Sequence, residues 1–159
     1  MDRSSARDLD SVFLKVSRAH FEDRGFCRRL LTMHRTHLRS LLSEPRGLRL
    51  ILLKRAGRNF FKSISDSYVK SLDDLPIAAL RSGIGIVDIV RESLNRMVVR
   101  IYECVSCFAS PPIGTTMCDF EAGFLEAAME KLFGRNRVVE TRCWGLGYSF
   151  CEFEIEFLW

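Results

Sequence analysis

The first half of the chain carries hydrophobic residues at the spacing of amphipathic helices, with apolar positions that return every three or four residues. Glycine and proline interrupt this pattern, and each interruption ends a segment. The pattern predicts four helices, at about 11–25, 27–42, 48–69 and 74–82.

The third predicted helix is the longest and contains a glycine near its middle. Its apolar face is predicted to consist of residues at four-residue intervals, namely Leu52, Ala56, Phe60 and Ile64. A glycine inside a helix costs about 1 kcal/mol relative to alanine. Gly57 therefore indicates a kink or the close approach of another segment.

From about residue 83 the hydrophobic period changes from that of a helix to that of a strand. The segments 84–91 and 97–105 are rich in β-branched residues and predict a first hairpin, and 137–143 with 150–157 predicts a second. Between the hairpins, apolar residues at every fourth position predict a helix that ends at Gly134.

These elements predict an α+β fold, with N-terminal helices packed on a four-stranded antiparallel sheet and a helix between the two hairpins. A chain of 159 residues with 47% hydrophobic content fits one domain. We expect its helical part to span about 8–82 and its sheet part, which contains five of the six cysteines, about 83–159.

Composition narrows the setting in which the protein works. The first ten residues are polar and charged, and no apolar run reaches the roughly 18 residues of a membrane span, so we expect no membrane span and a cytoplasmic location. Six cysteines are then better interpreted as thiols and metal ligands than as disulfides.

The formal net charge of +4 is mild, and the arginine stripe of Arg28, Arg35 and Arg39 is typical of a solvated helix face. A nucleic-acid partner is not expected.

The residues Cys118, Glu140, Cys143 and Cys151 are candidate zinc ligands. Glu140 stands three positions before Cys143, and the seven residues between Cys143 and Cys151 form a predicted hairpin loop that brings the two thiols together. Three thiolates and a carboxylate complete a tetrahedral site, which makes the predicted zinc structural. The competing interpretation is that the cysteines are ordinary core residues.

The sequence leaves the ligand set open in two respects. By strict alternation Glu140 points away from Cys143, unless the strand bends or ends between them. Cys104 and Cys107 also have a spacing that can hold a metal, although Cys104 is predicted to lie in a strand. A third set, Cys27 with His34 and His37, is better interpreted as a helix surface.

The C-terminal part resembles a known family. The similarity rests on Cys118-Asp-Phe-Glu-Ala-Gly-Phe-Leu, on Val139-Glu-Thr-Arg-Cys and on Gly147-Tyr-Ser-Phe-Cys-Glu-Phe-Glu-Ile. These segments resemble the 4-vinyl reductase domain family, which includes sensor domains of phenol-responsive transcription activators and archaeal stand-alone proteins and is related in fold to TRAPP-complex subunits. The strong match covers about residues 95–157.

The resemblance implies a structural zinc held by Cys118, Glu140, Cys143 and Cys151, with an aromatic effector bound in a nearby apolar pocket. Several aromatic residues are candidates for that pocket, and Trp144 and Tyr148 lie in the predicted loop beside the thiols. The predicted ligand-binding residues are Phe108, Phe120, Phe124, Trp144 and Tyr148.

The sequence thus favours a zinc-stabilised module that binds a small apolar, aromatic or acyl ligand and has a regulatory role. One alternative is a dimeric interaction or scaffold subunit, and we expect a homodimer formed through the N-terminal helices. Another is a reductase of vinyl groups. Gly83-Ile-Gly85 lacks the third glycine of a dinucleotide fingerprint, so the sequence favours a protein without enzymatic activity.

Overall fold

The computed structural model describes residues 40–41, 44–65, 68–91 and 93–159. The first predicted helix and all of the second except residues 40–41, which are helical, lie outside the described residues, together with Cys27, His34, His37 and the arginine stripe. Within the described part, the helices are α1 (Arg46–Ser65), α2 (Asp74–Arg81) and α3 (Asp119–Phe133), and the strands are β1 (Ile86–Arg91), β2 (Arg96–Tyr102), β3 (Asn136–Arg142) and β4 (Cys151–Phe157).

The four strands form one antiparallel sheet in the order β1-β2-β4-β3. Helix α3 packs on α1 and also on strands β3 and β4, while α2 packs on β1. The predicted α+β fold is therefore confirmed. None of the helices in the described ranges has the length and apolar character that crossing a bilayer requires.

Strand β4 shows why the alternating pattern predicts the sheet so well. Cys151, Phe153, Ile155 and Phe157 are all buried, as their period-two spacing predicts. The glutamates between them lie on the other face, where Glu152 pairs with Arg100 at 2.9 Å and Glu154 with Arg96 at 2.7 Å.

Helix α1 buries a different face from the predicted one. Leu52 and Ala56 are exposed, and the buried positions are Arg49, Leu53, Gly57 and Phe61. Phe60 and Ile64 of the predicted face are partly buried against the core, whereas at Leu52 and Ala56 the prediction was wrong by one residue, which is a rotation of about 100°. The small Gly57 faces α3, and larger residues flank it on both sides.

The α1–α3 contact is close because each helix presents a glycine to the other. A Cβ atom at Gly57 would overlap the carbonyl oxygen of Phe120, and one at Gly123 would overlap the backbone of Lys54. Of the two predicted causes for Gly57, the close approach is therefore the one observed. Because Asp119 begins α3, this contact also fixes the position of the preceding Cys118.

Candidate metal centre

Five of the six cysteines lie together at one end of the sheet, and all five are buried free thiols. Three of them were predicted to share a site, and the structure adds the pair from the CxxC segment. The five residues are Cys104, Cys107, Cys118, Cys143 and Cys151, which we call the thiol cluster.

Four separate segments supply the thiol cluster. Cys104 and Cys107 lie in the turn that follows β2, and Cys118 is the N-cap residue of α3. Cys143 directly follows β3, and Cys151 is the first residue of β4. The cluster therefore connects the first hairpin, the central helix and both strands of the second hairpin.

Cys118 lies at the centre of the cluster. Its Sγ is 3.5 Å from the Sγ atoms of Cys104 and of Cys151, 3.2 Å from that of Cys107 and 3.8 Å from that of Cys143. The Sγ atoms of Cys107 and Cys151 are 3.0 Å apart. Sulfurs bound to one tetrahedral zinc at 2.3 Å are separated by about 3.8 Å, so the observed spacing is close to that of a shared cation.

The turn that carries Cys104 and Cys107 was partly mispredicted. Strand β2 ends at Tyr102, so Cys104 does not lie in a strand. Glu103 and Ala109 have positive φ angles of 48° and 59°, a conformation that non-glycine residues rarely adopt. The backbone reverses between these two residues, and both thiols consequently point into the cluster.

Glu140 joins the cluster because β3 contains a bulge. Between Glu140 and Arg142 strand β3 advances by two residues while β4 advances by one, from Phe153 to Glu152. This extra residue brings Glu140 onto the face of Cys143 and Cys151. The sequence pattern required such an irregularity in the strand if Glu140 and Cys143 were both to be ligands.

The Glu140 carboxylate has the features of a metal ligand. Its Oε2 accepts a hydrogen bond of 2.9 Å from the backbone N–H of Cys118. Its Oε1 is buried and has no hydrogen-bond partner among the described residues. An unpaired buried carboxylate oxygen is costly, and a cation bound there removes the cost.

Glu121 is a second buried carboxylate beside the cluster, and the sequence analysis missed it. It is fully buried, and its Oε1 accepts hydrogen bonds of 3.1 Å from the thiol of Cys104 and from the backbone N–H of Ser106. The Glu121 side chain thus holds the CxxC turn against α3. Glu121 lies about one helical turn after Cys118, and this spacing was the sequence signal that could have placed its side chain beside the cluster.

The acidic groups cannot all ionise together without a compensating charge. Burial raises the pKa of the Cys118 and Cys151 thiols well above their ordinary range. Burial and the negative charge at Cys143 raise the pKa of the Glu140 carboxyl. Hydrogen bonds from Cys107, Cys118 and Cys151 instead lower the pKa of Cys143. A divalent cation bound to the thiol cluster would supply the compensating positive charge.

The geometry brings together two overlapping sets of donors. One is the predicted set Cys118, Glu140, Cys143 and Cys151, and the other is Cys104, Cys107, Cys118 and Cys151. Within each set the ligand atoms all lie within 4.8 Å of one another. Both sets fit a thiophilic ion such as zinc, so the cluster has the donors that a metal centre needs.

The aromatic residues predicted to bind a ligand fall into three groups. Phe108 and Trp144 are in edge-to-face contact at 5.4 Å, and each follows a cysteine of the cluster directly. Phe120 and Phe124 instead pack on Phe60 in the α1–α3 contact. In the third group, Tyr148 is exposed and lies 6.3 Å from Phe150.

Two further features are relevant to ligand binding. The indole Nε1 of Trp144 is buried and has no hydrogen-bond partner among the described residues. A cavity of about 470 Å³ lies between the end of α1 and α2, away from the thiol cluster. Its lining is mainly apolar and includes Ile64, Tyr68, Ile77 and Ala78.

Comparison with known proteins gives a family match in the C-terminal part of the chain. Residues 97–157, which contain the whole thiol cluster, match the family model of the 4-vinyl reductase (V-4-R) domain. The predicted resemblance of this segment to the 4-vinyl reductase domain family is confirmed.

Two uncharacterized proteins of Methanocaldococcus jannaschii are similar in sequence. One is 44% identical over 73 residues, which are 45% of this chain and 44% of that protein. The other is 30% identical over 109 residues, which are 66% of this chain and 63% of that protein. The chain thus spans less than two thirds of the length of either relative.

Three solved structures share the fold at low sequence identity. The phenol-responsive sensory domain of the transcription activator PoxR, with phenol, has a TM-score of 0.61 at 12% identity and covers 98% of this chain and 91% of its own. A trafficking protein particle complex subunit 3 from Naegleria fowleri, covalently bound to palmitic acid, has a TM-score of 0.59 at 12% identity, and the match covers 82% of this chain and 94% of that one. A vinyl-4-reductase family protein from Methanocaldococcus jannaschii has a TM-score of 0.57 at 16% identity and covers 99% and 97%.

Proposed function

We propose that this chain is a zinc-stabilised module that binds a small apolar ligand, aromatic or acyl, and serves a regulatory role. The zinc is held by Cys118, Glu140, Cys143 and Cys151. All four positions are occupied by protein ligands, so the ion stabilises the fold and leaves no open position for a substrate.

The cavity between α1 and α2 is the observation that carries the ligand-binding part of the proposal. Its volume of about 470 Å³ is in the range of small-molecule sites, and its lining is mainly apolar. Asp74 and Arg81 lie at the same cavity and provide polar groups for orienting a ligand. The shared fold of a phenol-responsive sensory domain and of a palmitate-bound subunit supports this choice of ligand chemistry.

The aromatic pair beside the thiol cluster is the second candidate position for the ligand. Cys143, a ligand of the proposed zinc, precedes Trp144, so the metal orders this ring and, through the edge-to-face contact at 5.4 Å, the ring of Phe108. The unpaired Nε1 of Trp144 is a donor suited to a phenolic oxygen.

Calorimetric titration with phenol and with palmitic acid tests the proposal and locates the site. Ile77→Trp places a larger side chain at the cavity and is expected to weaken binding, while Leu94→Trp adds the same side chain at an exposed hairpin position and is expected to leave binding unchanged. If Trp144→Phe weakens binding and Ile77→Trp does not, the ligand lies beside the thiol cluster instead. No saturable binding of either compound would refute the proposal for these two ligand chemistries.

Metal content is measured on the same preparations. We expect zinc in the protein as isolated, and less than about half an equivalent per chain after expression without chelators contradicts a zinc-stabilised fold.

Self-association is a second candidate function, because α1 exposes apolar residues. Leu48, Ile51 and Leu52 are 46%, 64% and 44% exposed and lie on one side of the helix. If this side forms a homodimer, Ile51→Glu will convert the dimer into a monomer in light-scattering measurements. A wild-type chain that is monomeric at all concentrations contradicts this function.

A further inference from the structure

The predicted zinc site uses only three of the five clustered thiols. Cys104 and Cys107 are fully buried, and their Sγ atoms lie 3.5 and 3.2 Å from that of Cys118. Cys107 is also 3.0 Å from Cys151. Between them the two thiols therefore contact two of the three sulfurs that the predicted zinc uses, and they come from a turn with two residues at positive φ.

We propose that the thiol cluster holds two metal ions, with Cys118 and Cys151 as bridging thiolates. The first ion is bound by Cys118, Cys151, Cys143 and Glu140, and the second by Cys118, Cys151, Cys104 and Cys107. This inference rests on the proposed zinc site for its first ion and adds the second.

The number of donors fits two tetrahedral ions. Five thiols and the Glu140 carboxylate are six ligands, and two tetrahedral ions need eight coordination positions. Two bridging sulfurs supply the difference, because each occupies one position on either ion. Cys118 and Cys151 are the only residues common to both donor sets among the described residues.

The distances agree with these roles. The bridging sulfurs of Cys118 and Cys151 are 3.5 Å apart, near the roughly 3.8 Å that separates two sulfurs on one tetrahedral zinc. Cys143 lies 3.8 Å from Cys118, and Cys104 lies 3.5 Å from Cys118. The contact between Cys107 and Cys151, at 3.0 Å, is shorter and must open slightly when an ion binds.

Glu121 provides independent support for a built second position. It is fully buried, and its Oε1 contacts the Cys104 thiol and the Ser106 backbone N–H. Its Oε2 is buried without a hydrogen-bond partner among the described residues. A buried carboxyl group that hydrogen-bonds a ligand sulfur is typical of the residues that surround metal ligands, and when Cys104 binds an ion as a thiolate the hydrogen of this contact belongs to the carboxyl group.

Native mass spectrometry of the full chain, saturated with Zn²⁺ and then freed of excess metal, counts the ions. We expect two per chain in the wild type and in Cys27→Ser, which removes the one cysteine outside the described residues. The double variant Cys104→Ser/Cys107→Ser is expected to retain one. A wild type that saturates at one ion overturns the second position alone, and one that binds none overturns the zinc site as well.

A second measurement uses only the wild-type protein, so it does not depend on whether the variants fold. With ¹¹³Cd²⁺ in place of zinc, two resonances of equal intensity are expected, one from an all-sulfur site and one from a site with an oxygen ligand. Scalar coupling between the two cadmium nuclei reports the shared sulfurs. A single resonance, two uncoupled resonances, or an intact mass lower by two hydrogens because a disulfide has formed would overturn the proposal.

Discussion

Replacing Gly57 by alanine is expected to destabilise the protein, although alanine is the better helix former. Alanine gains about 1 kcal/mol over glycine in the middle of a helix. Against this, its Cβ would overlap the Phe120 carbonyl oxygen and lie 2.8 Å from the backbone nitrogen of Phe124. Because backbone atoms cannot rotate away as a side chain does, α1 and α3 must separate.

The size of the effect follows from these two contributions. Overpacking a close contact costs typically 1–3 kcal/mol, and backbone overlap places this site near the upper end. With the gain in helix propensity subtracted, the free energy of unfolding is expected to fall by about 2 kcal/mol. For a chain of this size that corresponds to a decrease of roughly 4–8 °C in Tm.

Gly47→Ala is the matched control, because Gly47 lies in the same helix and its added Cβ would have no neighbour within 4 Å. This variant is expected to raise Tm slightly or leave it unchanged. Both variants are measured by thermal and urea unfolding. A Gly57→Ala protein as stable as Gly47→Ala would refute the inferred role of the α1–α3 glycine contact.

Three further predictions concern the metal, a buried ion pair and a helix start. A strong chelator is expected to lower Tm, because metal that binds only the folded chain stabilises it. Added Zn²⁺ should restore the original Tm. An unchanged Tm despite complete metal removal contradicts a stabilising role of the metal. Arg49→Ala leaves the Asp119 carboxylate buried without its ion-pair partner at 3.2 Å, and it is expected to lower the free energy of unfolding in urea by about 3 kcal/mol. The double variant Arg49→Leu/Asp119→Leu should recover most of this lost free energy. Hydrogen bonds from the backbone N–H groups of Lys70 and Ser71 lower the pKa of Asp74 below its ordinary value of 3.8. The stabilisation by the ionised Asp74 carboxylate is therefore present above pH 3.8 and is lost as the pH falls through the lowered pKa. Asp74→Asn should therefore lower Tm at pH 7 and have less effect in strong acid, and a Tm difference that does not change with pH would contradict this assignment.

Several elements of the structure were accessible from the sequence because their signal is local. Strand β4 was predicted from four buried residues that alternate with glutamates, and the end of α3 from Gly134, which has a φ angle of 92°. Cys118, Cys143 and Cys151 were grouped from residue type and spacing, the family resemblance implied the same set, and the structure brings them together. Such patterns depend on residues close to one another in the chain, which the sequence displays directly.

Other features were decided only when the segments packed together. The face of α1 that is buried depends on where a glycine of α3 meets it, and hydrophobic spacing alone missed it by one residue. Glu140 reaches the cysteines because a bulge in β3 changes which face it occupies. Cys104 and Cys107 reach them because the backbone reverses after β2.

The sequence by itself therefore determined the order and type of the elements in the described part of the chain and grouped three of the five clustered thiols. The tertiary structure decided how many sulfurs meet and which carboxylates join them. The physical reason is that helix and strand periodicity reflects interactions over a few residues, whereas a cluster drawn from four segments depends on bulges, turns and helix contacts that have no period of their own.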